Sequence, residues 1–131
     1  MTHKVIIGEE VGYEQEGAEL LEIILKEDCG IKDAVVEHTT DQNDLIERIK
    51  RGGYSVVLVG CCMGGVYGDQ EGLNVVREMR KINSQLPIYL VNDGCGTYLK
   101  SQALEAGATG FFTRLMDLTD TIPETIKKHL E

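Results

Sequence analysis

The sequence predicts an α/β protein with a single doubly wound, five-stranded parallel sheet and five helices. Two observations predict it: β-rich segments alternate strictly with helix-like segments along the 131 residues, and the connections between them are short. Such alternation favours right-handed crossovers, which place helices on both faces of a parallel sheet. A third observation agrees, because residues 56–59 form a run of four aliphatic side chains, typical of a central strand buried on both faces.

The predicted strands are short, mostly apolar and rich in β-branched residues. Glycine ends the first and the third of them, and Pro87 directly precedes the fourth. The second strand mixes polar and apolar residues, so we expect it at an edge of the sheet. The five predicted strands are Lys4–Gly8, Ala34–His38, Tyr54–Gly60, Ile88–Val91 and Gly110–Thr113.

The predicted helices carry apolar stripes and have recognisable ends. Thr40 is expected to cap the second helix. Thr121 and Glu124 form a capping box at the start of the last helix. Gly30 and Gly107 close the first and the fourth. The five predicted helices are Gln15–Glu27, Asp41–Lys50, Glu71–Asn83, Thr97–Ala106 and Ile122–Leu130.

Charge and hydropathy exclude several classes of protein. Lys and Arg number 13 against 22 Asp and Glu, which gives a formal charge of −9. The chain therefore lacks the basic surplus that binds the phosphates of nucleic acid or an anionic membrane surface. No apolar run is long enough to span a membrane, and the apolar stretch of the first ten residues is too short for a signal peptide, so we expect neither. We expect one cytoplasmic domain over residues 1–131, with neither nucleic acid nor membrane among its partners.

Functional residues are expected where the strands end, because open parallel sheets bind their ligands beyond the carboxyl ends of the strands. We name this edge of the sheet the carboxyl rim. Its predicted residues, in chain order, are Gly8, Glu9 and Glu10, then Gly60, Cys61 and Cys62, then Asn92 and Asp93, and finally Arg114.

Several of these segments resemble the receiver domain of bacterial response regulators, which has the CheY-like, flavodoxin-like fold. The resemblance covers essentially the whole chain and implies the strand order 2-1-3-4-5 and a role in two-component signal transduction and phosphorelay. Its most specific segment, Ala103–Arg114, is similar to the pattern ALEAGA-x-x-(Y/F)-x-x-K. The other segments resemble the strand with the acidic pair, the strand with the phosphoacceptor aspartate and the strand that ends in Thr or Ser: Val5–Glu10, Tyr54–Gly60 and Leu86–Asn92.

The chain departs from this pattern at the residues that handle the phosphoryl group. Gly60 stands where the resemblance places the phosphoacceptor aspartate, and no acidic residue lies between Tyr54 and Asp69. Asn92 replaces the Thr or Ser, and Arg114 replaces the Lys. Arg and Lys are not interchangeable, since one is a planar fork and the other a point charge. We interpret the chain as a pseudo-receiver: a degenerate receiver that keeps the fold, is not an enzyme and is not phosphorylated at the usual position.

The resemblance also implies a Mg²⁺ site, with Glu9 and Glu10 in place of the acidic pair. Mg²⁺ demands near-ideal octahedral geometry from its oxygen ligands. Glu is one methylene longer than Asp, and Gly60 supplies no third carboxylate. We therefore expect no cofactor beyond weak Mg²⁺ binding.

Function through protein–protein interaction is the main hypothesis. The resemblance implies a partner such as a histidine kinase, an output domain or another signalling protein, and a homodimer through the surface of helix four, strand five and helix five. The expected contact residues are 98–100 (Tyr, Leu and Lys) and 112–116, from Phe112 to Met116. Phe111 takes the place of the family's switch aromatic, and Arg114 is expected to pair with Glu9 or Glu10.

The alternative hypothesis is a thiol redox- or metal-responsive domain. Cys61, Cys62 and Cys95 follow two strands that are expected to be neighbours, so we expect the three thiols at one rim, close enough to serve metal binding or a thiol switch. Cys29 is predicted at the opposite end of the sheet. No CxxC spacing is present, and free thiols are the default expectation. A third hypothesis, a flavodoxin-type cofactor binder, is weakened because no hydroxyl-rich phosphate loop follows the first strand.

Overall fold

Five parallel strands form the centre of the fold: β1 (His3–Gly8), β2 (Ala34–Thr39), β3 (Val56–Gly60), β4 (Ile88–Asn92) and β5 (Gly110–Thr113). They are hydrogen-bonded in the order β2-β1-β3-β4-β5, and each neighbouring pair is parallel. This computed structural model describes residues 3–9, 16–61, 63, 71–92, 99–113 and 120–131. The predicted fold class and strand order are confirmed, and β2 lies at an edge as expected.

Five helices connect and follow the strands: α1 (Glu16–Glu27), α2 (Gln42–Arg51), α3 (Glu71–Ile82), α4 (Leu99–Ala106) and α5 (Thr121–Leu130). The predicted cap of α2 was wrong by one residue. Asp41 is the N-cap, because its carboxylate accepts hydrogen bonds from the backbone N–H groups of Asn43 and Asp44. A carboxylate at this position also interacts favourably with the positive end of the helix. Among the described residues, the structure has no helix long and apolar enough to cross a membrane.

The two faces of the sheet each bury an apolar cluster. Along β1, Ile6 points to one face while Val5 and Ile7 point to the other, as the alternation of side chains in a strand requires. The Ile6 face packs against the apolar sides of α2 and α3, for example Leu45 and Met79. The opposite face packs against α1 and α5. The helices therefore cover both faces, as predicted.

α1 is attached to the edge strand by a side chain. The Glu22 carboxylate accepts a hydrogen bond of 2.8 Å from the backbone N–H of Val36 in β2. The Lys26 ammonium, one helical turn further on, donates to the same carboxylate at 3.4 Å. This bond fixes the helix against the outer side of β2.

Arg80 of α3 joins two turns at the end of the sheet away from the carboxyl rim. Its Nε donates to the Gly107 carbonyl at 2.8 Å. Its Nη1 donates to the carbonyls of Leu86 at 2.7 Å and Asn83 at 3.0 Å. Gly107 has φ +110°, and a Cβ atom there would lie 2.9 Å from the Arg80 stem. The guanidinium therefore holds the α3–β4 and α4–β5 connections together.

A polar cluster surrounds Glu37 of β2. Its carboxylate accepts hydrogen bonds from the Tyr54 hydroxyl at 2.5 Å and from Arg48 at 2.9 Å, and Lys4 lies 3.6 Å away. Arg48 also pairs with Asp44 at 3.0 Å. Burial acts to raise the pKa of Glu37, but the Tyr54 hydrogen bond and the two cations outweigh it, so the pKa lies below the ordinary glutamate value.

Candidate functional site

The ends of β1, β3 and β4 form the described part of the carboxyl rim. Gly8 pairs with Val59, and Gly60 pairs with Val91, so these three strands end side by side. Of the predicted site residues, the structure describes Glu9, Gly60, Cys61, Asn92 and Phe111. Glu10, Cys62, Cys95 and Arg114 lie outside the described residues, as do Tyr98 and residues 114–116. The predicted pairing of Arg114 with Glu9 or Glu10 stays a prediction.

Glu9 is a buried carboxylate at the end of β1. The residue is 0% exposed, and its backbone N–H donates to the Thr39 carbonyl at 2.9 Å, which extends the pairing of β1 with β2 by one residue. A buried charge is costly unless other groups compensate it. The fold therefore encloses this acidic side chain and does not present it to solvent.

Gly60 ends β3 with no side chain, and the first turn of α3 lies directly on its backbone. A Cβ atom at Gly72 would overlap the Gly60 carbonyl oxygen and lie 3.0 Å from the Cα of Cys61. The backbone N–H of Gly72 donates to the Cys61 carbonyl at 2.9 Å. Glycine at position 72 is what permits this close approach. Gly72 was not among the predicted site residues, because its only signal in the sequence is a glycine near the start of a predicted helix.

Met63 fills the space between the ends of β1 and β3. It is 0% exposed, and a Cβ atom at Gly8 would lie 2.5 Å from its sulfur. Its backbone N–H donates to the Gly60 carbonyl at 3.1 Å, and the Gln42 amide donates to its carbonyl at 2.7 Å. An apolar side chain thus enters the core directly beside the rim. Met63 was not predicted as a core residue, because it lies in a Gly-rich segment of the sequence without a periodic pattern.

Cys61 corrects the expectation of free thiols. It is fully buried and disulfide-bonded, whereas Cys29 is free. The backbone N–H of Cys61 donates to the Val91 carbonyl at 3.0 Å, and its sulfur lies 3.8 Å from Asn92 Oδ1. A sulfur in a disulfide is not a thiolate metal ligand. Within the described ranges, no group of three His, Cys, Asp or Glu side chains could hold a metal ion.

Asn92 ends β4 and brings a neutral amide to the rim. It is 7% exposed and pairs with Thr113 of β5. An amide can donate and accept hydrogen bonds but carries no charge. β4 is one residue longer than predicted, because the pairing with β5 continues through Asn92.

Two neighbouring aromatic residues of β5 point to opposite faces. Phe111 is partly buried and packs on the Ile6 face, where α4 also contributes to the core. Phe112 is 6% exposed and stacks on Tyr89, with ring centroids 5.0 Å apart. The prediction that Phe112 belongs to an exposed contact surface was wrong, since strand alternation turns its ring into the core.

The described part of the helix four, strand five and helix five surface is mixed in character. On α4, Lys100 is exposed and Leu104 is 49% exposed. On α5, His129 is exposed and its Nε2 lies 2.6 Å from the Tyr89 hydroxyl. This hydrogen bond connects α5 to β4.

Comparison with known proteins gives a consistent result. A model of the response regulator receiver domain matches residues 14–126 of the chain. An orphan response regulator of H. pylori has 15% identity and a TM-score of 0.69, over 98% of this chain and 97% of that one. A Francisella response regulator receiver domain has 16% identity and a TM-score of 0.70, over 99% and 100%.

A third solved structure contains a metal ion. The receiver domain of a sensor histidine kinase from Pseudomonas aeruginosa, with magnesium coordinated in its active-site cleft, has 14% identity and a TM-score of 0.72. The match covers 99% of this chain and 98% of that one. At such identities the likeness shows the fold. No curated protein matches the sequence.

Proposed function

Because the chain belongs to the response regulator receiver domain family, we propose that it is a pseudo-receiver that acts through protein contacts and is not phosphorylated at the usual position. The coarser statement, a CheY-like receiver domain of two-component signalling, follows from the family itself. The proposal adds the loss of phosphoryl chemistry, a non-catalytic role, one module over residues 1–131 and a place in the cytoplasm.

The observation that carries the proposal is Gly60. It ends β3 on the carboxyl rim, where the resemblance places the phosphoacceptor, and it offers no carboxylate. An acyl phosphate forms only on a carboxylate nucleophile. Gly72 and Cys61 lie against the Gly60 backbone, so no space remains there for a longer side chain from α3. Glu9, the described carboxylate that follows the neighbouring strand β1, is fully buried.

Weak Mg²⁺ binding is the matching proposal for the metal. A receiver-type site would draw on Glu9 and Glu10, but Glu9 is fully buried, and Gly60 and Asn92 contribute no charge beside them. Mg²⁺ is usually held by carboxylates together with retained water, in a strict octahedron. Loss of a carboxylate from that set is expected to weaken the site, which titration of the chain with Mg²⁺ by calorimetry would measure.

Incubation with acetyl phosphate and Mg²⁺, followed by intact-protein mass, tests the loss of phosphorylation. We expect no mass gain of one phosphoryl group under conditions in which a receiver domain with its aspartate, run in parallel, gains one. The parallel sample shows that the phosphodonor is active. A stable gain on this chain, mapped to an aspartate such as Asp69 or Asp93, would contradict the proposal.

The proposed contact surface is that of α4, β5 and α5, for a histidine kinase, an output domain, another signalling protein or a second copy of the chain. Lys100 and Leu104 support it, since residues four apart lie on one side of a helix and Leu104 is a half-exposed apolar side chain. The proposed surface does not include Phe112, although the sequence predicted it there, because its side chain is buried.

Sedimentation velocity over a range of concentrations tests the homodimer. Leu104→Glu is expected to shift the equilibrium toward monomer, because it places a charge in the apolar part of the contact. Ile23→Glu on α1 is the matched control, since Ile23 is 57% exposed on another surface. Equal effects of the two substitutions would contradict this choice of surface. A wild-type chain that stays monomeric at every concentration would contradict the homodimer, and the partner would then be a different protein.

A further inference from the structure

A polar cleft lies beside the edge strand β2, on the face of the sheet that packs against α2. Its volume is about 370 Å³, within the range of sites that hold small organic molecules. Lys4 is the second residue of β1, so the cleft lies toward the amino ends of the strands and away from the carboxyl rim. The residues that line it are Lys4, Glu37, Asp44, Arg48, Arg51, Gly52 and Tyr54.

The two acidic residues of this cleft already have partners within the protein. The Tyr54 hydroxyl and Arg48 donate to one oxygen of Glu37, at 2.5 Å and 2.9 Å. The other oxygen of Glu37 lies 3.6 Å from Lys4 Nζ. Asp44 lies 3.0 Å from Arg48 Nε. The carboxylates therefore hold the cationic side chains in place around the cleft.

The cationic residues of the cleft have hydrogen-bond donors to spare. Arg48 uses Nη1 for Glu37 and Nε for Asp44, and a guanidinium has five N–H donors in all. Lys4 Nζ lies beyond hydrogen-bond distance of its carboxylate. Arg51 is exposed and forms no salt bridge with any residue that the structure describes. Three cations and two carboxylates give the cleft a formal charge of +1, in a chain of −9.

Gly52 leaves one part of the cleft open. A Cβ atom at this position would meet nothing within 4 Å, so no neighbouring group fills the space above its backbone. The cleft is also several times larger than a single phosphate ion. A ligand can therefore place an anionic group among the cations and still have room for an organic part.

We propose that this cleft binds a small organic phosphate, with the phosphoryl group against Lys4, Arg48 and Arg51 and the organic part above Gly52. A phosphoryl group presents three acceptor oxygens, one for each cation, whereas a carboxylate presents two. Arginine forks and lysine ammonium groups are the side chains that bind phosphoryl oxygens in proteins.

This site goes beyond the proposed function and does not depend on it. Phosphate binding here needs neither a phosphoacceptor nor a protein partner. β2 and β5 are the two opposite edges of the sheet, so the cleft is also separate from the surface of α4, β5 and α5. A ligand at this site would be an input that leaves both the carboxyl rim and that surface unoccupied.

Titration of the isotope-labelled chain at constant ionic strength, followed by NMR, tests the site with inorganic phosphate and phenyl phosphate as the probes. We expect saturable shifts of the amide signals of Gly52, Gly53 and Tyr54. The expected Kd is about 1 mM for inorganic phosphate. Phenyl phosphate is expected to bind about tenfold more tightly, because its ring occupies the space above Gly52.

Arg51→Met is expected to weaken the binding of both probes about tenfold, since one hydrogen bond from a charged group is lost. Arg51 is exposed, so the substitution should leave the fold intact. Lys50→Met is the matched control: it removes the same charge from the same helix, but Lys50 pairs with Glu47 at 3.4 Å and does not line the cleft. We expect the control to bind both probes as the wild type does.

Four results would overturn the proposal. Shifts that grow without saturation, or that centre on residues outside the cleft, would show that the cleft is not a binding site. Equal weakening by Arg51→Met and Lys50→Met would show that phosphate responds only to the overall charge of the chain. Tighter binding of acetate than of inorganic phosphate would contradict the assigned class of ligand.

Discussion

Replacement of Arg80 by methionine is expected to destabilise the fold strongly, because methionine keeps an apolar stem but removes the guanidinium. That group donates to the carbonyls of Leu86 at 2.7 Å, Gly107 at 2.8 Å and Asn83 at 3.0 Å. A hydrogen bond from a charged group contributes about 1.5–3 kcal/mol. The bonds to Leu86 and Gly107 are partly buried, and the one to Asn83 is exposed.

Two partly buried bonds of this kind, reduced for the water that reaches the freed carbonyls, give an expected loss of roughly 2–4 kcal/mol in the free energy of unfolding. With an m value of about 2 kcal/mol/M, the urea midpoint should fall by on the order of 1–2 M. The urea midpoint of Arg80→Lys should lie between those of the wild type and Arg80→Met, since an ammonium cannot form the same fork of donors.

Arg77→Met is the matched control on the same helix. Arg77 is exposed and donates to Asn74 within α3. Its replacement should therefore change the free energy of unfolding by no more than about 0.5 kcal/mol. The assay is urea unfolding followed by far-ultraviolet circular dichroism. Midpoints for Arg80→Met and Arg77→Met that agree within error would refute the view that Arg80 holds the two turns together.

Three further changes test other parts of the structure by the same unfolding assay. Gly72→Ala should cost about 1–3 kcal/mol, since its Cβ atom would overlap the Gly60 carbonyl, and an unchanged midpoint would contradict that close approach. The pKa of Glu37 is lowered in the folded state, so its carboxylate contributes stability that is present above the ordinary glutamate pKa and lost as the pH falls through the folded value. Glu37→Gln should therefore reduce the dependence of the urea midpoint on pH in the acid range. An identical dependence in the two proteins would argue against the cluster. Tyr89→Phe removes the hydrogen bond to His129 and should lower the free energy of unfolding by about 0.5–1.5 kcal/mol. A midpoint equal to that of the wild type would show that this bond does not form in solution.

The sequence was sufficient to predict the five strands of the sheet, because each strand has a local pattern of its own. Val56 to Val59 are all buried, as their unbroken aliphatic run predicts for a central strand. β2 mixes polar and apolar residues, which predicted its position at an edge of the sheet. The strand order came from the resemblance, since alternation of strands and helices alone is compatible with several orders.

The carboxyl rim was predictable in position and less so in detail. Gly60 ends β3 as expected, and Asn92, which was expected directly after the fourth strand, is the last residue of the neighbouring β4. The insertion of Met63 beside Gly8 depends on a contact between distant segments, which no local pattern encodes. Phe111 and Phe112 are consecutive aromatic residues, so the sequence cannot say which face of the sheet each ring covers until the register of β5 is known.

The Glu22 side chain has a consequence for how the protein behaves at high concentration. β2 borders the sheet, and a border strand offers backbone N–H and C=O groups to which a strand of another molecule can add. The Glu22 carboxylate already accepts the Val36 N–H on that side, and α1 packs against β2. An incoming strand would have to displace a charged acceptor before it could form its first backbone bond, so this border of the sheet is protected against aggregation.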